Sequence, residues 1–291
     1  MFGSLTLQGE LPIRGKHFSS FLRHLDKDLA TLDKLKIEGA VVNRLACPLL
    51  AQINVRELIL QRCVLEDDGE SLINAISCGS ATFQTLSIDR IHGGYYHSQS
   101  TSSLNRVLNH LLHAIGDEKC RIKHLRVGYP NFDVPVSLID TLQNNQKLES
   151  LCLCNANIPT KFWIRLLDEI SRHQSLSLLE LENMWNFDQH EVAYLREMLA
   201  TNFRVEVLIN REPIVKQDWL DQWDEVVFPQ LCFNRFRRGV TQLGTTVDES
   251  RKVGLFGAAL LANQFSPKRI GLLMSIHADT LVCLFQTPVD V

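Results

Sequence analysis

Residues 55–65 read Val55-Arg56-Glu57-Leu58-Ile59-Leu60-Gln61-Arg62-Cys63-Val64-Leu65, with apolar side chains at the first, fourth, sixth and eleventh positions. The core of this phrase is apolar, two variable residues, apolar, one variable residue, apolar. It recurs at Phe2-Leu5-Leu7, Leu32-Leu35-Ile37, Phe83-Leu86-Ile88, Ile122-Leu125-Val127, Leu148-Leu151-Leu153 and Leu176-Leu179-Leu181. The seven copies start 30, 23, 28, 39, 26 and 28 residues apart. A fixed phrase at such a period marks a stacked array of similar units, each too small to bury its apolar face alone. Between the phrases, 67–78, 103–115, 160–173 and 188–201 carry helical periodicity. Phe162, Leu166, Leu167 and Ile170 form one apolar side, with Pro159 just before it. Val192, Leu195, Met198 and Leu199 form another, with Asp188 placed to cap that helix.

The phrase resembles the leucine-rich repeat, L-x-x-L-x-L-x-x-N/C-x-L. Residues 55–65 match it through Cys63, and 148–158 read Leu148, Leu151, Leu153, Ala156 and Ile158. The ninth position is elsewhere Glu10, Ala40, Ile91, Pro130 and Met184. No continuous asparagine ladder is expected, and the turns after the strands are expected to be irregular. The period near 28 is similar to the ribonuclease-inhibitor class. That resemblance implies an α/β horseshoe solenoid of seven or eight repeats over 1–211, with parallel strands inside and helices outside. Repeat irregularity on a short chain also resembles the leucine-rich-repeat effectors that intracellular bacteria deliver into host cells. This would imply secretion into a host cytosol and a role in virulence.

The phrase fails after Arg211, although 203–209 alternates Val205, Val207 and Ile209 as an eighth strand would. Residues 212–291 read as a C-terminal helical domain. Trp219, Trp223, Val226 and Val227 share one helix face; 248–264 places Val253, Phe256, Ala259 and Leu260 inward, with Gly254 and Gly257 allowing close packing. A third helix starts near Pro267. A cap over the last repeat and a docking domain both fit this segment.

The 291 residues are 45% hydrophobic and carry a net charge of −3, a balance that points away from nucleic acid. No stretch is expected to span a membrane: 270–285, the most apolar, is short and interrupted by His277 and Asp279. Eight cysteines are scattered without a disulfide framework, and Cys47, Cys63, Cys78 and Cys120 fall where buried thiols are usual. With 1–7 reading as a strand rather than a leader, the expected setting is cytoplasmic.

No phosphate loop, nucleophile elbow or zinc-protease helix occurs. Cys152 and Cys154 share one face of a strand, with His124 on that face one repeat earlier, but C-x-C lacks the usual C-x-x-C turn and no fourth ligand is evident. His110 and His113 share a helix face without a carboxylate at ligand spacing. Cys232, Cys283 and His277 are the only residues that would serve an enzyme site in the C-terminal part, and His277 and Cys283 do not share a helix face. Neither a metal, a cofactor nor a catalytic residue is expected.

The variable positions carry more. Beside the central leucines stand Lys34, Lys36 and Glu38; Glu57, Ile59 and Gln61; Thr85, Ser87, Asp89 and Arg90; His124 and Arg126; Ser150, Cys152 and Cys154; and Leu178, Glu180 and Glu182. This mixed-sign face suits a protein partner. The fourth repeat overruns its neighbours at 91–102, where Gly93 and Gly94 precede Tyr95 and Tyr96, the composition of a binding loop. Tyr129 and Phe132, then Trp185 and Phe187, follow later strands along the same rim. The expected contact residues are Lys36, Gln61, Asp89, Arg90, Tyr95, Tyr96, His124, Arg126, Tyr129, Glu180, Glu182 and Trp185, with Phe132 and Phe187 assigned to packing. The function this implies is non-catalytic protein recognition. The alternatives are a regulatory adaptor docking through its C-terminal helices, and an enzyme with its site there.

Overall fold

Each of the seven phrases supplies a strand in the computed structural model. It describes residues 2–8, 16–27, 32–93, 101–128, 135–156, 158–184 and 189–210, with Val227, Gln230, Leu231, Asn234 and nine positions from Gly254 to Met274. The strands are β1 (Phe2–Gln8), β2 (Leu32–Glu38), β3 (Val41–Val42), β4 (Val55–Gln61), β5 (Val64–Leu65), β6 (Thr85–Asp89), β7 (His92–Gly93), β8 (His124–Gly128), β9 (Ser150–Cys154), β10 (Leu178–Glu182) and β11 (Glu206–Asn210). Among them run helices α1 (Lys16–Lys27), α2 (Cys47–Gln52), α3 (Glu70–Ser77), α4 (Thr101–Ile115), α5 (Pro135–Asn144), α6 (Thr160–Arg172) and α7 (Gln189–Thr201).

The fold is mixed α/β, built on an open eight-stranded parallel sheet of order β1-β2-β4-β6-β8-β9-β10-β11. Parallel neighbours need a crossover, and crossovers of one hand put successive helices on the same side, so that α1 to α6 each pack against the next. The pairing register follows the phrase. Leu5, Leu35, Leu58, Leu86, Leu125, Leu151 and Leu179 are lateral neighbours, as are Leu7, Ile37, Leu60, Ile88, Val127, Leu153 and Leu181. From Leu35 and Ile37 onward, these residues are at most 2% exposed. A slip of one residue would turn every such side chain to the other face, so burial itself fixes the register. Each buried leucine contributes about 1.5–3 kcal/mol, subject to compactness in the unfolded chain.

Three details differ from expectation. The turns after β2, β4 and β6 are regular: β3, β5 and β7 form a second parallel sheet. The residue leaving β2, β4, β6, β9 and β10 is left-handed (Gly39, Arg62, Arg90, Asn155 and Asn183), which redirects the chain at the strand's end. Where an asparagine was absent, the Cys63 thiol donates to the Ile37 and Gln61 carbonyls at 3.3 Å. In α6 it is Trp163, with Leu166, Leu167 and Ile170, that is buried, whereas Phe162 is half-buried beneath the Lys161 ammonium. Spacings of 3, 4 and 7 from Trp163 fit one face, and Phe162 lies a step outside it. Cys47, Cys63 and Cys120 are buried as expected, but Cys78 is exposed at the end of α3.

Two compact units are present: Met1–Asn186 with Leu208–Glu212, and Phe187–Val207 with Pro213–Val291. They place α7 with the C-terminal segment, whereas the sequence reading divided the chain at 211/212. In the second unit Val192, Leu195, Met198 and Leu199 are buried, as are Val227, Leu231 and Phe256. Asn234 Nδ2 donates to the Leu199 and Asn202 carbonyls at 2.8 and 3.2 Å, satisfying the C-terminal end of α7. Among the described residues, a Cβ added at Gly254 or Gly257 meets nothing within 4 Å, so no close packing is seen there. Asp188, Trp219, Trp223, Cys232, His277 and Cys283 lie outside the described residues. No helix among the described residues is long and apolar enough to cross a membrane.

In the first unit the helix ends carry side-chain caps that periodicity did not reveal. Asn145 Nδ2 donates to the Ile115 carbonyl at 2.8 Å, while its Oδ1 accepts from the Lys147 N–H at 2.9 Å. One strand later, His173 Nε2 meets the Asn145 carbonyl at 2.6 Å and Nδ1 accepts from the Ser175 and Leu176 N–H groups. These contacts make His173 a neutral ring protonated at Nε2.

Candidate recognition face of the sheet

The variable positions of the phrase lie across the sheet as three rows. The first contains Lys34, Glu57, Thr85, His124, Ser150 and Leu178. The second contains Lys36, Ile59, Ser87, Arg126, Cys152 and Glu180. The third contains Glu38, Gln61, Asp89, Gly128, Cys154 and Glu182. Parallel pairing makes residues with the same place in the phrase lateral neighbours about 4.8 Å apart.

The structure therefore brings Lys36, Gln61, Asp89, His124, Arg126, Glu180 and Glu182 onto one face. Arg90 follows β6 in the left-handed conformation and stands exposed beside Asp89. Tyr95, Tyr96, Tyr129 and Trp185, with Phe132 and Phe187, lie outside the described residues. Of the 91–102 segment, Ile91 is buried, His92 and Gly93 form β7 and Thr101 belongs to α4, while 94–100 lie outside the described residues.

Much of the charge on this face is paired within it. Lys34 meets Glu57 at 3.2 Å, Lys36 meets Glu38 at 2.8 Å, and Arg62 also pairs with Glu38. Hydrogen bonds from Lys36 and Arg62 hold the Glu38 carboxyl below its ordinary range, outweighing partial burial. His124 Nδ1 and Ser150 Oγ are 2.9 Å apart. Exposed pairs of this kind contribute only about 0.2–1 kcal/mol each, so their main effect is to hold long side chains in fixed positions.

The tightest group lies across β8, β9 and β10. Arg126 reaches over β9 and forms a two-pronged ion pair with Glu182, with Nη1–Oε1 at 2.7 Å and Nη2–Oε2 at 2.5 Å. Beneath it, Cys152 and Cys154 are 6% and 4% exposed. Their sulfurs are 3.5 Å apart, Arg126 Nη1 lies 3.4 Å from the Cys152 sulfur, and the Cys154 thiol donates to Glu182 Oε2 at 3.0 Å. Small side chains on β9 leave the room that the guanidinium crosses. The hydrogen bond with Cys152, burial and the adjacent Glu182 carboxylate push the Cys154 thiol up, so Cys154 is held as a thiol.

Cys152, Cys154 and Glu182 offer ligand atoms within 4.8 Å of one another. Glu182 rather than His124 completes this group. Cys154 and Glu182 share the seventh place in the phrase, which parallel pairing makes adjacent, whereas His124 sits at the third place beside Ser150. Counting places in the phrase would have found it. His110 and His113 are exposed on α4.

No protein-family model matches the chain, and a search of the curated proteins found no significant match.

Proposed function

We propose that the chain is a non-catalytic leucine-rich-repeat scaffold whose polar sheet face binds a protein partner. The observation that carries this reading is the lateral register of the phrase. It lines up the structural leucines on the buried side and assembles three rows of mixed-sign side chains on the other. Side chains held by neighbours lose less rotamer freedom on binding, which favours recognition of a complementary mixed-charge surface over a uniformly charged polymer. Within the second unit, Asn234 completes the end of α7. The resemblance to bacterial effectors extends the proposal to a host protein as the partner.

Affinity capture from host and native lysates tests both parts, with Lys36→Glu, Gln61→Arg and Glu180→Lys combined in one chain. The reading expects a partner that the native face retains and the triple variant loses, with unfolding unchanged. Equal retention by both chains would remove the face from recognition. A second reading, an adaptor docking through its C-terminal helices, would instead have the partner retained by the triple variant.

A further inference from the structure

We propose that Cys152, Cys154 and Glu182 form a binding site for a thiophilic divalent cation, with zinc the fitting ion. The inference stands apart from protein recognition and rests on the geometry of one cluster. The two sulfurs are 3.5 Å apart, and the Cys154 sulfur lies 3.0 Å from Glu182 Oε2. Tetrahedral zinc with zinc–sulfur bonds of about 2.3 Å and zinc–oxygen bonds of about 2.0–2.2 Å requires separations near ~3.8 Å and ~3.5 Å. Each of these two gaps needs to open by about half an ångström or less, and the third pair, the Cys152 sulfur and a Glu182 oxygen, lies within 4.8 Å. Three protein ligands leave the fourth position to water or to a small external ligand.

The surroundings favour a cation. These cysteines are not part of the apolar core beneath the sheet: they occupy the second and third polar rows, where other strands carry Lys36, Glu38, Gln61, Asp89, Arg126 and Glu182. The cluster already attracts a positive group, since Arg126 grips Glu182 and rests against the Cys152 sulfur. Arg126 occupies the place the metal charge would take. On binding, the two thiols release their protons to solvent, the ion bonds both sulfurs and one Glu182 oxygen, and the guanidinium gives up at least one of its two hydrogen bonds. Arg126 is a competitor for the site rather than a ligand, and it lowers the affinity that the three donors would otherwise give.

The test is a titration of the full-length, fully reduced chain with Co2+, followed by competition with Zn2+. Sulfur-to-cobalt charge transfer reports thiolate ligation, and strong visible bands report tetrahedral geometry. The proposal expects one Co2+ per chain with both signatures, displaced by Zn2+ and abolished in C152S/C154S. E182Q should bind at least ~10-fold more weakly, whereas R126Q should bind more tightly. No charge-transfer band in excess cobalt would overturn the proposal, as would a band unchanged in C152S/C154S. Should the double serine variant fail to fold, E182Q and R126Q carry the test through their opposite shifts. An unweakened E182Q, or an R126Q that binds less tightly than the native chain, would refute it.

Discussion

Replacing Asn145 with alanine tests how helix ends are joined from one strand–helix unit to the next. Asn145 is 2% exposed and bonds in two directions. Its Nδ2 satisfies the Ile115 carbonyl at the end of α4, and its Oδ1 satisfies the Lys147 N–H in its own turn. Alanine leaves both without their partner. The Ile115 carbonyl is in a buried setting, where an unmatched polar group costs about 1–3 kcal/mol; the Lys147 N–H is partly exposed and costs about 0.5–1.5 kcal/mol. The expected loss is thus about 1.5–4.5 kcal/mol, a large part of the ~5–15 kcal/mol by which domains are stable. Urea unfolding followed by far-ultraviolet circular dichroism measures it as a lower midpoint at constant slope. The Asn145 backbone carbonyl survives, so the His173 contact remains and the loss reports the side chain alone. Asn145→Asp should be at least as damaging, because it sets a carboxylate against the Ile115 carbonyl. A cost below ~0.5 kcal/mol for Asn145→Ala would refute the reasoning.

Three further outcomes follow from the structure. Gly79→Ala should destabilise by about 1–3 kcal/mol in the same assay, because φ is +72° and the new Cβ would lie 2.7 Å from the Lys119 carbonyl oxygen. Among the six cysteines in the described residues, Cys78 should react first with iodoacetamide near pH 8. It is exposed and its thiol is lowered by the Ser80 hydrogen bond, whereas burial pushes Cys63 up to about 11 and raises Cys47 and Cys120; mass spectrometry of a time course reads the order. Acid should weaken the fold through Glu38 and Asp67. Lys36 and Arg62 lower Glu38; for Asp67, burial opposes ionisation but hydrogen bonds from Ser71, Cys47 and Gly69 outweigh it. Both folded-state values lie below the unfolded ones. Their stabilisation is therefore complete above about pH 4.5 and is lost as the pH falls through the folded values. Asp67→Asn should flatten that part of the stability–pH curve, and an unchanged slope would contradict the assignment.

The sequence carried the strands because each must place the same three apolar positions under the sheet, a constraint that survives in every copy. It carried α7 for the same reason: Val192, Leu195, Met198 and Leu199 keep one face. It misread α6 by one position, since Phe162 and Trp163 are both large and only the spacing to Ile170 separates them. The second sheet was not legible, because strands as short as Val41–Val42 leave no periodicity. The caps were visible in principle. Asn145, His173 and Asn202 each stand three residues before Leu148, Leu176 and Val205, at intervals of 28 and 29 residues. Their types differ, however, and only their shared hydrogen-bonding role unites them: Asn202 Oδ1 accepts from the Arg204 N–H just as Asn145 Oδ1 accepts from Lys147. The cysteine cluster was half legible, since C-x-C fixed two members on one face while the third depended on lateral register.

The central claim is that the rows flanking the leucines are the recognition surface. Site-specific photocross-linking measures this most directly, with a photoreactive residue placed in turn at Gln61 and Glu180 on the sheet face and at Arg165 and Asp168 on the exposed side of α6. The account expects one partner to be captured from Gln61 and Glu180 and not from the α6 positions. Capture of that partner from α6 alone would contradict it.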